Sequence, residues 1–342
     1  MSEVISKYKA LCDFLKDKKC ILAFSGGSDS TLLAHVLSEV SPDSLLVTVD
    51  NNMFAHDFIS YTQQKAKEFN LQHKIIEKDF LKKFSFKSNP KGRCYNCRKI
   101  MFGSIKKLPE FNEYDYFIEG TNVSDYLEDR PGVLINYEEK MISPLVECEI
   151  SKDDVLTILE KLDITYSQNT TCLATRIKLN EEVTSEKLKR IDEAEEIAKQ
   201  ILPEMSDIRI RSHEDNAIIV VNEPFEIGNE RLFQLKYALL DLGFKKVVLN
   251  LMRYHKGELN IKSDNEGNMI QHLPYNVDLH QTYKHMNNNE KLENDHLSLE
   301  TQHIKYDDIT ISENGKISMP ENTDFEDKLF KVITSIKRRK EI

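Results

Sequence analysis

The residues with chemistry to offer fall in four short stretches. Ser25-Gly26-Gly27-Ser28-Asp29-Ser30-Thr31 joins two glycines to hydroxyls and a carboxylate, Cys94 and Cys97 are separated by two residues, Cys172 lies in the polar run Asn169 to Arg176, and Arg209 and Arg211 alternate. Two glycines let a backbone come close to an anion, and a helix beginning there adds unpaired N–H groups and a positive dipole end. The first stretch therefore reads as a phosphate cradle, with Ser25, Gly26, Gly27, Ser30 and Thr31 on the anion. No Gly-Lys-Ser/Thr follows, so the lysine that a phosphoryl-transfer loop sets on the β- and γ-phosphates is missing. Asp29 is instead suited to hold Mg²⁺ beside the phosphates.

Six cysteines in 342 residues are too few for a disulfide scaffold. In a reducing compartment the Cys94-x-x-Cys97 spacing points to metal or redox chemistry. Arg93, Arg98 and Lys99 flank the pair, and neighbouring cations lower thiol pKa values and favour thiolate. A structural zinc site needs about four ligands, and no second pair is present. Three thiolates suffice for an iron–sulfur cluster with one iron open, and Cys172 is the candidate third. Cys12, Cys20 and Cys148 sit in or beside apolar elements and read as buried small hydrophobes.

These residues need elements to position them. Apolar spacing predicts a helix around Ile5 to Leu15, a strand Cys20 to Phe24, a helix Thr31 to Val40, a strand Ser44 to Val49, a helix Ala55 to Asn70 and a strand Gln72 to Ile76. A loop Ser85 to Gly92 leads to the cysteine pair and a basic helix Arg98 to Leu108. A strand Tyr114 to Glu119 then ends in Gly120-Thr121-Asn122, and Ser151 opens a helix with Asp154 at the capping-box position. Strands alternating with helices imply a parallel sheet covered on both faces, with ligands at the carboxyl ends of its strands. From Thr184 an αββαβ run follows: a charged helix to Leu202, strands Ile208 to Arg211 and Ala217 to Val221, a helix Leu232 to Leu242 and a strand Lys245 to Met252.

The chain thus divides into residues 1–180, an α/β nucleotide-binding domain, residues 181–261, a smaller α+β domain for substrate binding or oligomerisation, and a polar extension, residues 262–342. The extension holds five of the ten histidines and Asn287-Asn288-Asn289, shows little periodicity before Phe325 to Ile336, and reads as partly disordered. His280, His285, His296 and His303 have no regular ligand spacing, and Lys337-Arg338-Arg339-Lys340 reads as a solvated helix end.

Apolar residues make up 40% of the chain, enough to bury a core in each domain. With 47 Lys plus Arg against 57 Asp plus Glu the net charge is −10, which excludes a globally basic nucleic-acid coat or polybasic membrane binder. The N-terminus carries no apolar run of a signal peptide and nothing downstream reaches about 20 apolar residues, so the expectation is a cytoplasmic protein without membrane contact.

The hexapeptide Ser25 to Ser30 resembles the PP-loop of the ATP pyrophosphatase superfamily, whose members cleave ATP between the α- and β-phosphates and adenylate an oxygen of the substrate. Across residues 1–261 the chain resembles the LarE family of PP-loop sulfur transferases, which act on a pyridinium carboxylate mononucleotide in building the nickel-pincer nucleotide cofactor. The landmarks are Ser25 to Thr31, Asn89-Pro90 with Arg93-Cys94-Tyr95, Gly120-Thr121-Asn122 with Asp125, Asp129-Arg130-Pro131-Gly132, Ser143-Pro144-Leu145 with Glu147 and Lys152, Cys172 to Ile177, and Arg209-x-Arg211-x-His213. Ser28 inside the loop, Glu214 after His213 and the extension depart from the pattern.

The resemblance implies an α/β fold, a doubly wound parallel sheet of the adenine nucleotide alpha hydrolase-like type, with a second, smaller α+β domain. It implies ATP and Mg²⁺ as cofactors, Gly120 as a further nucleotide contact, and Cys172 and Asp29 as catalytic residues. ATP would adenylate a carboxylate, and sulfur from sulfide or another donor would displace AMP to give a thiocarboxylate. Members with one active-site cysteine give up its sulfur from the position of Cys172, whereas members with the additional pair hold a [4Fe-4S] cluster on three cysteines. Cys94, Cys97 and Cys172 place this chain with the second kind, the sacrificial use of Cys172 being the alternative. Arg176, Arg209 and Arg211 are candidates for the mononucleotide phosphate, because two guanidiniums on one strand face can clamp it bidentately. The other reading is a solvated strand face. A homo-oligomer is expected and nucleic acid is not. The rivals are a cluster-dependent tRNA thiolase, against which the net charge weighs, and a non-catalytic metal-stabilised nucleotide-binding protein.

Overall fold

The computed structural model describes residues 2–90, 92–126, 141–168, 171–205, 207–252, 261–264, 267–273, 276–289, 292, 294–320, 329, 332–333 and 335–336. The sequence landmarks Asp129 to Gly132, Asn169-Thr170 and Lys337 to Lys340 lie outside the described residues.

Four strands, β1 (Cys20–Ala23), β2 (Leu45–Asp50), β3 (Gln72–Glu77) and β4 (Tyr116–Ile118), pair in parallel in the order β3-β2-β1-β4. Their apolar residues alternate between two cores, as the period of a strand requires. Cys20, Leu22 and Leu46 face a layer made by α1 (Ser2–Leu15), α2 (Ser28–Val40) and α5 (Lys152–Lys161), while Ile21, Leu45, Val47, Val49 and Phe117 face α4 (Arg93–Ile105) through Phe102 and Ile105. Between β2 and β3 runs α3 (Phe58–Glu68). With both faces covered, β1, β2 and β4 carry almost continuous apolar sequence, whereas the edge strand β3 is mostly polar. The chain moves outward from β1 to β3 and then crosses back to place β4 on the other side of β1. That reversal opens a crevice at the carboxyl ends of β1 and β4.

The sequence placed the cysteine pair ahead of its helix; the structure places it inside. The helix α4 begins at Arg93, so Cys94 and Cys97 lie one turn apart at i and i+3 and share a face. The expected Ser151–Asp154 capping box at the start of α5 is formed by both partners.

Beyond residue 180, α6 (Ser185–Ile201), β5 (Ile208–His213), β6 (Asn216–Val221), α7 (Asn229–Asp241) and β7 (Lys246–Leu249) form a three-stranded unit, β5-β6-β7. Its core is not closed on itself. Leu188, Ile191, Ile208, Ile210 and Leu235 pack in one cluster with Met53, Phe80, Phe86 and Leu173 from loops of the first domain.

The extension departs most from its sequence reading. Its described residues build a six-stranded antiparallel sheet from β8 (Ile261–Ser263), β9 (Asn268–His272), β10 (Leu297–Leu299), β11 (His303–Tyr306), β12 (Ile309–Ser312) and β13 (Lys316–Pro320), in the order β10-β11-β12-β13-β9-β8. Helix α8 (Leu279–Asn287) contributes Leu279 and Met286 to a core with Ile304, Tyr306, Ile309, Ile311, Ile317 and Met319. Val123, from the turn after β4, is buried in this same core. Among the described residues no helix is long and apolar enough to cross a membrane.

Candidate active site

The crevice at β1 and β4 opens into a cavity of about 430 Å³, lined by Ser25, Gly27, Ser28, Asp29 and Ser30 at one end and by Cys94, Cys97 and Cys172 at the other. Glu119, Gly120, Asp125, Lys152 and the segment Tyr166–Gln168 complete its wall.

The first end is organised by hydrogen bonds. The Oγ atoms of Ser25 and Ser30 lie 3.1 Å apart, Ser30 Oγ donates to Gly27 O at 3.2 Å, and the Gly27 N–H reaches Ser25 Oγ at 3.4 Å. This closes the loop at the N-terminus of α2, where the first N–H groups have no acceptor within the helix. Gly26 has φ +71°, and a Cβ there would stand 3.1 Å from the Tyr61 ring. A Cβ on Gly120 would stand 3.1 Å from Asp29 Cβ and from Ser30 N, so the turn after β4 lies directly against the loop. Asp29 accepts from Asn122 Nδ2 at 2.9 Å and from Lys152 Nζ at 2.7 Å. Lys152 Nζ also lies 2.5 Å from Ser28 Oγ. Thr31, expected on the anion, is fully buried and lies outside the cavity lining, because it points inward from the first turn of α2.

The second end is organised by burial and by stitching of distant segments. Arg93 is buried, donates from Nη1 to Ala174 O at 3.0 Å and bonds Asn89 Oδ1; Asn89 Nδ2 in turn donates to Ile177 O at 3.1 Å and Lys178 O at 2.8 Å. The backbone adds Leu173 N–H to Met53 O at 2.8 Å and Ser167 N–H to Gly26 O at 2.9 Å. These bonds lay the Cys172 segment across the cavity from the loop to α4. Arg98 pairs with buried Glu119 at 2.5 Å and fixes α4 against β4.

Flanking cations were expected to depress the thiol pKa values, and at two positions the outcome is opposite. Burial pushes the Cys97 thiol up to about 12, the neighbouring Cys172 and Cys94 sulfurs add to this, and the Asn51 amide and Arg93 only oppose it. Burial likewise raises Cys172 against the influence of Arg93. Low dielectric outweighs one guanidinium here. Cys94 is the exposed member, with Arg93 Nη2 3.8 Å from its sulfur. Cys20 is fully buried, and Cys12 and Cys148 pack against the same core, as their apolar settings predicted.

The three arginines are not brought to this cavity. Arg176 is buried in an ion pair with Glu195, Nε to Oε1 2.8 Å, and lines a neighbouring space of about 230 Å³ with His56 and Asp192. Arg209 is buried and pairs with Asp207 at 3.4 Å, whereas Arg211 is exposed. Among the described residues no group of three or more His, Cys, Asp or Glu is placed so that it could hold a metal ion, and this includes Cys94, Cys97 and Cys172. Sequence reasoning gave no role to Asn89, Asn122 or Lys152, whose partners are set by the fold and whose only signal was their place among the family landmarks, and it read Arg93 as a cation beside the thiols rather than as the tie between α4 and the Cys172 segment.

A switch-point crevice with a Gly-Gly loop at one end defines an α/β protein of PP-loop type. No family model matches the chain. It is 34% identical over 255 residues to an uncharacterized protein of Methanocaldococcus jannaschii, covering 74% of this chain and 98% of that one. A second uncharacterized protein, from Synechocystis, is 29% identical over 263 residues, 75% of this chain and 97% of that one. The pyridinium-3,5-bisthiocarboxylic acid mononucleotide synthase of Lactiplantibacillus plantarum is 26% identical over 267 residues, 76% of this chain and 96% of that one. The chain belongs to the LarE-like family that these proteins represent, and about a quarter of it lies outside each match.

Proposed function

We propose that the protein is an ATP-dependent sulfur transferase that adenylates a carboxylate of a pyridinium biscarboxylate mononucleotide and converts it to a thiocarboxylate. One observation carries the reading: a loop fit for pyrophosphate and three thiols line a single cavity. ATP is split to AMP and pyrophosphate. The loop and the N-terminus of α2 bind the departing pyrophosphate, Asp29 serves Mg²⁺, and Gly120 keeps the turn after β4 close enough to bound nucleotide. Activation as the acyl adenylate turns a poor leaving oxygen into AMP, and a sulfur nucleophile from the far end displaces it.

Cys94, Cys97 and Cys172 have the chemistry for a [4Fe-4S] cluster and line one cavity, but as placed they are not gathered into a metal-holding group. Bound there, it would supply an open iron for sulfide. The thiols must lose protons to ligate, which the raised Cys97 and Cys172 values make pH-dependent. The same three residues without iron leave Cys172 as a sacrificial donor. Exposed Phe233, Tyr237, Val248, Leu251 and Met252 on α7 and around β7 support the homo-oligomer expected from sequence.

The test is an anaerobic reaction with ATP, Mg²⁺, sulfide and the pyridinium mononucleotide beside bulk tRNA, read by mass spectrometry. A thiocarboxylate product with AMP and pyrophosphate is the expected result. Thiolated tRNA without thiocarboxylate would assign the chain to the rival class, and release of ADP would overturn the pyrophosphatase assignment.

A further inference from the structure

The cradle lacks its own lysine, yet an ammonium sits on it. Lys152 is the first residue of α5, 123 positions after Asp29 in sequence, and its Nζ lies 2.7 Å from Asp29 Oδ2 and 2.5 Å from Ser28 Oγ. Its backbone N–H donates to Ser124 Oγ at 3.0 Å, which ties the start of α5 to the turn after β4. The side chain is 30% exposed, and Lys152, Asp29 and Ser28 all line the cavity. An ammonium has three donors, and Asp29 and Ser28 take two of them, so the cation can still turn toward an incoming anion.

Two demands meet at this pair. A pyrophosphate leaving group concentrates negative charge that loop N–H groups only partly offset, and Asp29 cannot serve a divalent cation fully while its carboxylate is held by Lys152. Both are met by one exchange of partners. We propose that Lys152 is the pyrophosphate-binding cation of this site, parked on Asp29 until the anion arrives, when Nζ transfers to a β- or γ-phosphate oxygen and the released carboxylate takes Mg²⁺. The proposal rests on the ATP reading of the cavity. It makes Lys152 from a distant helix the counterpart of the lysine that other phosphate loops carry within their own motif.

The test is calorimetric titration of the full chain, in the absence of sulfur substrate, with inorganic pyrophosphate and separately with AMP. Lys152→Met is expected to weaken Mg²⁺–pyrophosphate binding about ten- to a hundredfold, the range of one lost charge-assisted contact, and to leave AMP binding unchanged. Lys152→Arg should recover most of the loss. Pyrophosphate affinity equal to wild type in folded Lys152→Met overturns the proposal. A second readout separates exchange from a merely structural pair. In Mg²⁺-free buffer Asp29→Asn should tighten pyrophosphate binding by releasing the ammonium, and adding Lys152→Met should abolish that gain; a gain that survives the second change also overturns it. If wild type binds neither ATP nor pyrophosphate, it is the ATP reading that fails.

Discussion

The two ends of the cavity are built by opposite means. At the nucleotide end, charge is met by charge and hydroxyl by hydroxyl: Asp29 has Asn122 and Lys152, and Ser25 has Ser30. At the thiol end Cys97 and Cys172 pack against the apolar cluster that holds Met53, Phe86 and Leu173, and burial raises the pKa of both thiols. The first end is preorganised for an anion. The second is held in reserve, since a thiol raised toward 12 is a poor nucleophile and a poor ligand until something displaces its proton. Under the proposed function, the difference makes ATP activation and sulfur delivery separable functions of one cavity.

Removing Cys172 tests that separation most sharply. Cys172→Ala should lower thiocarboxylate formation by about a thousandfold or more, because no other thiol lies on the segment crossing from the loop. Pyrophosphate release in a single turnover with the mononucleotide should stay within about threefold of wild type, while AMP is retained in the unconsumed acyl adenylate. Loss of both would show the ends to be one unit. Dehydroalanine at position 172 of wild type after one turnover would identify the sacrificial route, and a brown, reconstituted protein with about four irons would identify the cluster.

Asp29→Asn acts at the other end with a smaller expected effect, about a hundredfold in kcat/KM for ATP, since one charged ligand to Mg²⁺ is exchanged for a neutral one. The thiol end should be untouched. The measured rate of iodoacetamide labelling at Cys94, Cys97 and Cys172 should match wild type, and a change in that rate would break the comparison.

Much of the nucleotide end was legible because its chemistry is local. Seven consecutive residues, Ser25 to Thr31, carry turn and helix start together just after β1. Lys152 was not legible as a site residue, since a contact across 123 residues is made by tertiary packing alone. Cys94 and Cys97 were visible as a pair, but not as a helical turn, because Gly92 and the polar residues around it read as loop. The alternating sheet of the extension was hidden for a different reason. Its strands are three to five residues long, too short for periodicity to stand out against the Asn- and His-rich connections. Ile309-x-Ile311 and Ile317-x-Met319 carry the pattern in miniature.

The protonated thiol end has a pH signature. A Cys97 pKa above its ordinary 9.0 means the folded state holds that proton longer than the unfolded state. The resulting stabilisation is fully present below about pH 9 and is lost as pH rises toward 12. Thermal unfolding of metal-free protein should therefore show Tm falling between about pH 8.5 and 10.5, and the fall should be shallower in Cys97→Ala. Parallel slopes would place the alkaline sensitivity elsewhere, with Cys20 and Cys148, also raised to about 12 by burial, as the next groups to replace.

The smallest effect is expected beyond both ends, on β5. Arg209 and Arg211 share a strand face by period, yet Arg209 is buried against Asp207 while Arg211 is exposed. A guanidinium already buried and paired costs stability when removed, because its partner is left uncompensated. An exposed one is free to meet a ligand. If the mononucleotide phosphate rests on the small domain while its carboxylate faces Cys172, Arg211→Ala should raise KM for the mononucleotide about three- to tenfold, with KM for ATP and Tm unchanged. Arg209→Ala should instead lower Tm. Equal KM shifts for both substrates in Arg211→Ala would return β5 to a solvated strand face, and the thiol end would then stop at the wall of the cavity.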